Sequence, residues 1–263
     1  MTCSGFLCVF IGHYAQLWQN KLMGVNKGFA VERAIISNLN NKKFTSLSIE
    51  YKKLVVDLYK NINAADGLIQ CSKNEGTGLE KKNDLTLKFQ NKTINVSIKS
   101  GSANSIHQEN IHSFVEFLES KKSLDIERKN LIYEFHWCDG TLDNSGSIKD
   151  RKRKSDYKKI YKKKYSKYMN ALREYKKEIF YRIFTGTENQ PDFTVYFKNN
   201  QFFVLDFKDL LSKHLNMEET DNNVGILTIQ NWNACLQGQD LRGKKHRNDV
   251  QFKCKDFERY LIE

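Results

Sequence analysis

The sequence predicts an α/β fold in which a mixed central β-sheet is flanked by helices and carries a long basic accessory helix. Three observations predict it. Two strand pairs, over 84–99 and 193–207, alternate apolar and polar residues. Apolar residues at helical spacing lie on both sides of the first pair. A run over 149–178 carries 14 Lys+Arg against four acids, a net +10 of the total +12.

Composition narrows the class. The chain has 263 residues, 40% hydrophobic and 12% aromatic, too rich for a disordered chain and long enough to bury a sizeable core. One proline and 14 glycines exclude collagen-like and linker-dominated chains, and six cysteines are ordinary usage, not a secreted disulfide scaffold. Such a basic protein points to polyanions: nucleic acid first, an anionic membrane surface second.

Along the chain, the apolar run Phe6–Ile11 is too short to span a bilayer and no basic segment precedes it. Met23 opens a normal domain start, so residues 1–22 read as a dispensable extension, with a packed N-terminal strand as the alternative. From Asn26 a helix is expected, with Phe29, Ile36 and Leu39 on one face and Glu32 among its first turns. A second helix over 46–65 spaces Leu47, Tyr51, Leu54, Val55 and Leu58. A polar loop, 72–83, leads to strands Asp84–Phe89 and Thr93–Lys99. The loop SGSANS then opens a helix from about Ser105 to Leu118. In the basic run, Tyr157, Tyr161, Tyr165, Tyr168, Leu172, Tyr175 and Ile179 recur at steps of three and four, one packing face of a long helix with lysines elsewhere. That stripe is mostly Tyr, which argues against deep membrane insertion. Strands Phe193–Phe197 and Phe202–Phe207 flank the turn KNNQ, and 225–263 mixes an amide-rich stretch with Val250–Phe252 and a short terminal helix.

Several chemistries are absent. There is no CxxC pair or HxxxH cluster, the GTG at 76–78 is not followed by GK, and no GxSxG elbow occurs. Cys71, Cys138, Cys235 and Cys254 read as buried or free cytosolic thiols. His107 and His112 are the two histidines that flank the segment described next.

That segment is Asp84-Leu-Thr-Leu-Lys-Phe and Ile94-Asn-Val-Ser-Ile-Lys99. Ser97 and Lys99 share one strand face, opposite Ile94, Val96 and Ile98, and a hairpin brings Asp84 beside them. Phosphodiester hydrolysis uses such groups. A carboxylate holds Mg²⁺ against the phosphate, the Ile98 carbonyl is a further ligand, and a lysine serves the water and the developing charge.

The pattern resembles the PD-(D/E)xK nuclease superfamily, specifically type II restriction endonucleases, over residues 24–253. Asn83-Asp84 stands for Pro-Asp and Ser97 for the second acid, a position where MspI-like enzymes carry an amide. Gly28-Phe-Ala-Val-Glu32 is similar to the GxxxE helix whose acid adds to the metal site, and SIKSGSANSIHQEN to the loop and helix after the catalytic lysine. On that helix Gln108 and Glu109 are candidates to compensate for the lost acid.

The resemblance implies a restriction-endonuclease-like core: one nuclease domain over 23–263, with a catalytic core at 23–120, the basic helix at 149–180 and a second strand pair plus DNA-contacting segment at 184–263. It implies a cytoplasmic, Mg²⁺-dependent, sequence-specific endonuclease for double-stranded DNA, monomer or homodimer, with a cognate DNA methyltransferase as genetic partner. Asp84 binds metal, Lys99 serves water and phosphate, and Glu32 or Glu109 completes the metal charge. Base readout falls to Ser100, Ser102, Asn104, Ser105, Gln108, Gln230, Asn231, Asn233, Gln237, Arg242 and Lys244, and phosphate contacts to the basic helix, with Lys158 and Lys162 named.

A rival site is Pro191-Asp192 followed, after 13 residues, by Asp206-Phe-Lys208. It matches the motif better on paper. It lacks the upstream GxxxE helix and the small-residue loop, and MspI-like enzymes resemble a layout with an early active pair and a late non-catalytic one. The readings outside this class are a structure-specific or repair nuclease and a non-catalytic DNA-binding module.

Overall fold

The structure is a computed structural model that describes residues 27–60, 67–74, 83–100, 105–185, 190–231 and 246–254. The described residues fall into two units. The first draws on Met1–Gly76, Asn83–Ser102 and Pro191–Val204, the second on Thr77–Lys82, Ala103–Gln190 and Leu205–Glu263. Residues 1–22 and the terminal segment after 254 lie outside the described residues.

The first unit is built on a six-stranded sheet in the order β1-β2-β3-β4-β6-β7. Its strands are β1 (Lys42–Lys43), β2 (Leu68–Lys73), β3 (Leu85–Phe89), β4 (Lys92–Ser100), β6 (Phe193–Lys198) and β7 (Gln201–Asp206). β1, β2, β3 and β4 pair antiparallel in succession, whereas β4 and β6 are parallel, with Ser97 opposite Thr194. The sheet is therefore mixed, as expected. Two tight hairpin turns set the registers. Gln90 and Asn91 (φ 47 and 63), and Asn199 and Asn200 (φ 49 and 62), take the left-handed conformation that two-residue hairpin turns require.

Helices α1 (Lys27–Leu39) and α2 (Ile49–Tyr59) supply the apolar cover. Their Val31, Ile35, Leu39, Leu54, Val55 and Leu58 pack with Ile69, Cys71, Leu85, Leu87, Phe89, Ile94, Val96 and Ile98. Each such Leu or Ile contributes roughly 1.5–3 kcal/mol by leaving water. On α1 Leu39 is buried and Ile36 packs against the core as expected, but Phe29 is 49% exposed, and Val31 and Ile35 complete the core face. β2 runs into the first two residues, Ser72 and Lys73, of the expected polar loop, and its buried side is Ile69 and Cys71.

The second unit holds a three-stranded sheet, β5-β9-β8, made of β5 (Ser105–Asn110), β8 (Thr228–Gln230) and β9 (Asp249–Lys253). Its helices are α3 (Ile111–Lys121), α4 (Ile126–Trp137), α5 (Lys154–Ile160), α6 (Lys162–Arg173), α7 (Lys176–Thr185) and α8 (Phe207–Asn216).

Two expected elements are corrected here. The helix expected from Ser105 begins only at Ile111. Residues 105–110 form β5, which pairs antiparallel with β9, and Asn110 caps α3 through the His112 N–H at 2.9 Å. The long basic helix is three helices. Tyr161 leaves helical geometry (φ −116, ψ 46) between α5 and α6, and a second break at Glu174–Tyr175 precedes α7. Across the first break Lys158/Lys162 and Lys159/Lys163 would be like-charge pairs one helical turn apart, which disfavours a continuous helix. The tyrosine stripe nevertheless packs as expected. Tyr157, Tyr165, Tyr168, Leu172, Tyr175 and Ile179 are buried, and only Tyr161, at the break, is exposed. Cys71, Cys138 and Cys254 are buried, and Cys235 lies outside the described residues.

Candidate functional site

The first unit gathers the motif residues at the open ends of β3 and β4. Register pairs Leu85 with Val96, and the Asp84 N–H donates to the Val96 carbonyl at 2.9 Å. One step further along, the Asp84 carboxylate faces Ser97. Its Oδ2 accepts from Ser97 Oγ at 3.1 Å and from the Ile98 N–H at 2.5 Å. Alternation then puts Ile94, Val96 and Ile98 in the core and Ser97 and Lys99 on the other face. The Lys99 ammonium donates to Ser97 Oγ at 2.8 Å and to the Ile98 carbonyl at 3.2 Å, and lies 3.7 Å from Asp84 Oδ2. A carboxylate, a hydroxyl and a main-chain carbonyl thus converge on one cation.

Glu32 reaches the same neighbourhood from α1, with its side chain 10% exposed. Burial, then the Asp84 charge, raise its carboxyl above the ordinary value, while Lys73 and Lys99 pull it down. Lys73, at the end of β2, pairs with Glu32 Oε2 at 3.5 Å. Nothing in the linear motif singles out Lys73. The signal is positional: it sits opposite Leu85, the residue after Asp84. Asn83, standing where the motif has proline, buries its Oδ1 with no hydrogen-bond partner among the described residues.

Most of the other candidates belong to the second unit and have partners there. Glu109 sits on β5, not on a helix. Its Oε2 accepts from Arg182 Nη2 at 2.9 Å and its Oε1 faces His107 Nε2 at 3.0 Å, so both oxygens are engaged within the second unit. Gln108, likewise on β5, donates to Asp249 at 2.6 Å and contacts His246 Nδ1 at 2.8 Å. Ser105 Oγ accepts from Gln251 Nε2 at 3.0 Å, and the Asn231 amide donates to the Phe135 carbonyl at 2.9 Å. Ser100 Oγ is buried with no partner among the described residues. Ser102, Asn104, Asn233, Gln237, Arg242 and Lys244 lie outside the described residues. His112, in the second unit, packs on Tyr133 and Trp137.

In the rival pair both acids serve the backbone. Asp192 Oδ2 accepts the Asn95 N–H at 2.8 Å, tying β6 to β4. Asp206 caps α8 by accepting the Lys208 N–H at 2.9 Å.

The second unit brings three expected DNA contacts together. Lys158, Lys162 and Gln230 line one open cleft of about 750 Å³, with Lys154, Lys159, Asn222 and Thr228. Lys158 is paired with Asp221 at 3.1 Å and Lys154 donates to the Ile229 carbonyl at 3.0 Å. Lys158 on α5 and Lys162 on α6, on either side of the break at Tyr161, face the same opening.

Among the described residues there is no group of three or more His, Cys, Asp or Glu side chains able to hold a metal. The donor set at β3–β4 is of another kind: carboxylates of Asp84 and Glu32, the Ile98 carbonyl and the Ser97 hydroxyl, all oxygen. That chemistry fits Mg²⁺, which takes one or two protein carboxylates and fills its remaining positions with water and phosphate oxygens. No helix among the described residues is long and apolar enough to cross a membrane.

No family model matches the chain, and no curated protein matches it. A solved structure does: restriction endonuclease MspI in complex with its cognate DNA, similar with a TM-score of 0.58 at 16% identity, over 89% of this chain and 92% of that one. At that identity the likeness shows the fold, and the chain carries a restriction-endonuclease-like α/β fold, a mixed sheet flanked by helices.

Proposed function

We propose that the chain is a Mg²⁺-dependent, sequence-specific endonuclease for double-stranded DNA, of type II restriction class. One observation carries the reading: Asp84 Oδ2, Ser97 Oγ and the Ile98 carbonyl converge on the Lys99 ammonium, an oxygen nest already shaped around positive charge. The fold supports it, since the similar structure is a restriction endonuclease holding its cognate DNA.

When bound there, Mg²⁺ would lower the pKa of its water and offset charge on the phosphate. The Asp84 and Glu32 carboxylates and the Ile98 carbonyl would hold it. Ser97, neutral where the motif has an acid, lends a lone pair but no charge, so Glu32 carries the second negative charge. Lys99 offsets the charge that develops on the phosphate oxygens and holds the attacking water.

DNA would be gripped by the cleft of Lys154, Lys158, Lys159 and Lys162, whose contacts are with phosphate. Gln230, on the lining of that cleft, would meet a base edge or a sugar. Charge reversal at Lys158, Lys159 and Lys162 together is expected to weaken binding similarly on cognate and random DNA. It should also flatten the salt dependence by about two to three units of slope, as read by fluorescence anisotropy across a salt series. A loss confined to cognate DNA would contradict the phosphate role.

The direct test of the enzyme is digestion of supercoiled plasmid with Mg²⁺ against an EDTA control. Discrete bands support the restriction class, and a DNA methyltransferase gene beside this one would add to it. Cutting confined to junctions or ends would make the chain a structure-specific or repair nuclease. The neutral Ser97 favours one further reading, a non-catalytic DNA-binding module, which binding without any cutting would establish.

A further inference from the structure

Four charged side chains lie around the ends of β2, β3 and β4: the carboxylates of Glu32 and Asp84 and the ammoniums of Lys73 and Lys99. Their formal charges sum to zero. A divalent cation entering this set meets two ammoniums already seated on its carboxylates, so a resident cation must give way or be repelled.

The two lysines are held differently. Lys99 is 23% exposed and contacts Ser97 Oγ, the Ile98 carbonyl and Asp84. Lys73 is 51% exposed, and its contacts are Glu32 at 3.5 Å and the face of the Phe29 ring at 4.9 Å. The fold explains its position. Lys73 follows Ile69 and Cys71 on the side of β2 that packs against α1, where the strand end emerges beside the first turns of that helix. It is also tied to the motif strand, since the next residue, Asn74, donates its N–H to the Asp84 carbonyl at 3.1 Å.

We infer that Lys73 is a positioning residue: it is the resident counter-ion of Glu32 and competes with the divalent cation for that carboxylate. Its charge then sets how tightly the site takes metal. On metal binding the exposed ammonium leaves Glu32 and stays over the Phe29 ring. The inference rests on the metal-binding reading given above.

The test is calorimetric titration of the full chain with MgCl₂ at low ionic strength and pH 8. Lys73→Gln is expected to bind Mg²⁺ roughly two- to fivefold more tightly than the parent, the span expected for removing one partly exposed competing charge. Lys73→Arg, which keeps the charge, should stay close to the parent. Lys53→Gln, which removes a lysine from an exposed pair with Asp57 on α2, should do the same. Equal or weaker binding in Lys73→Gln overturns the inference, as does equal tightening in Lys73→Arg or Lys53→Gln. Asp84→Asn separates the two levels. If it loses Mg²⁺ while Lys73→Gln is unshifted, only the role of Lys73 falls. If it binds Mg²⁺ like the parent, the metal reading of the site falls and the inference with it.

Discussion

Lys99→Ala is expected to abolish Mg²⁺-dependent plasmid cutting, a loss of at least about 10²–10³-fold, while DNA binding persists. The size follows from where the ammonium sits. Among the described residues it is the one cation in contact with Ser97 Oγ and the Ile98 carbonyl, and it lies 3.7 Å from Asp84. A phosphate brought to these oxygens meets Lys99 first. The variant should fold, because Asp84 keeps its bonds from Ser97 Oγ and the Ile98 N–H and the side chain removed is partly exposed.

The comparison variant is Lys208→Ala. Asp206 caps α8 through the Lys208 main-chain N–H, which alanine retains, so cutting should change little. Both variants are assayed by time courses on supercoiled plasmid, with binding measured separately in Ca²⁺. Cutting that survives Lys99→Ala and disappears in Lys208→Ala would move the role to the second strand pair.

The second large effect is on stability. Glu109→Ala is expected to cost about 3–5 kcal/mol, measured by urea denaturation, because it leaves Arg182 without its carboxylate in a buried setting. The Glu109 side chain is 2% exposed and that of Arg182 13%. Burial alone would raise the Glu109 carboxyl, but hydrogen bonds from His107 and Arg182, with their charges, outweigh it and hold the group below its ordinary 4.5. A carboxyl with a depressed folded value stabilises the fold above the unfolded value. That contribution is lost as pH falls through the folded value, so the parent should lose stability in acid below about pH 4.5 more steeply than Glu109→Gln. Mg²⁺ affinity in Glu109→Gln should match the parent. A stable Glu109→Ala variant with impaired metal binding would return Glu109 to the metal site.

These two residues also show how far the sequence could be read. The Asp84–Ser97–Lys99 face was legible because everything that builds it is local. Period-two alternation assigns faces, and a two-residue turn sets the register that places Asp84 across from Ser97. Glu109 was misplaced on a helix because its segment, SIHQEN, has polar residues at most positions. What makes it a strand is β9, a partner that lies far along the chain. The same holds for Lys73. Its importance depends on β2 pairing with β3 and packing on α1, and neither is written in its neighbours.

The basic run divides along the same line. Its tyrosine spacing determined which side packs, since apolar and aromatic residues bury wherever they share a face, and all but Tyr161 do so. Whether that face was one helix or three was decided by tertiary contacts and by lysine repulsion at the Tyr161 break. By itself, then, the sequence determined the α/β class, the hairpin with its motif face, and the packed side of the basic run. All three follow from periodicity and turn chemistry within a few residues. The tertiary structure alone decided that Lys73 faces Glu32, that Arg182 claims Glu109, and that Gln230 joins Lys158 and Lys162 in one cleft. Each of these joins side chains that are distant in the chain, and such contacts depend on how whole elements pack, which no local pattern encodes.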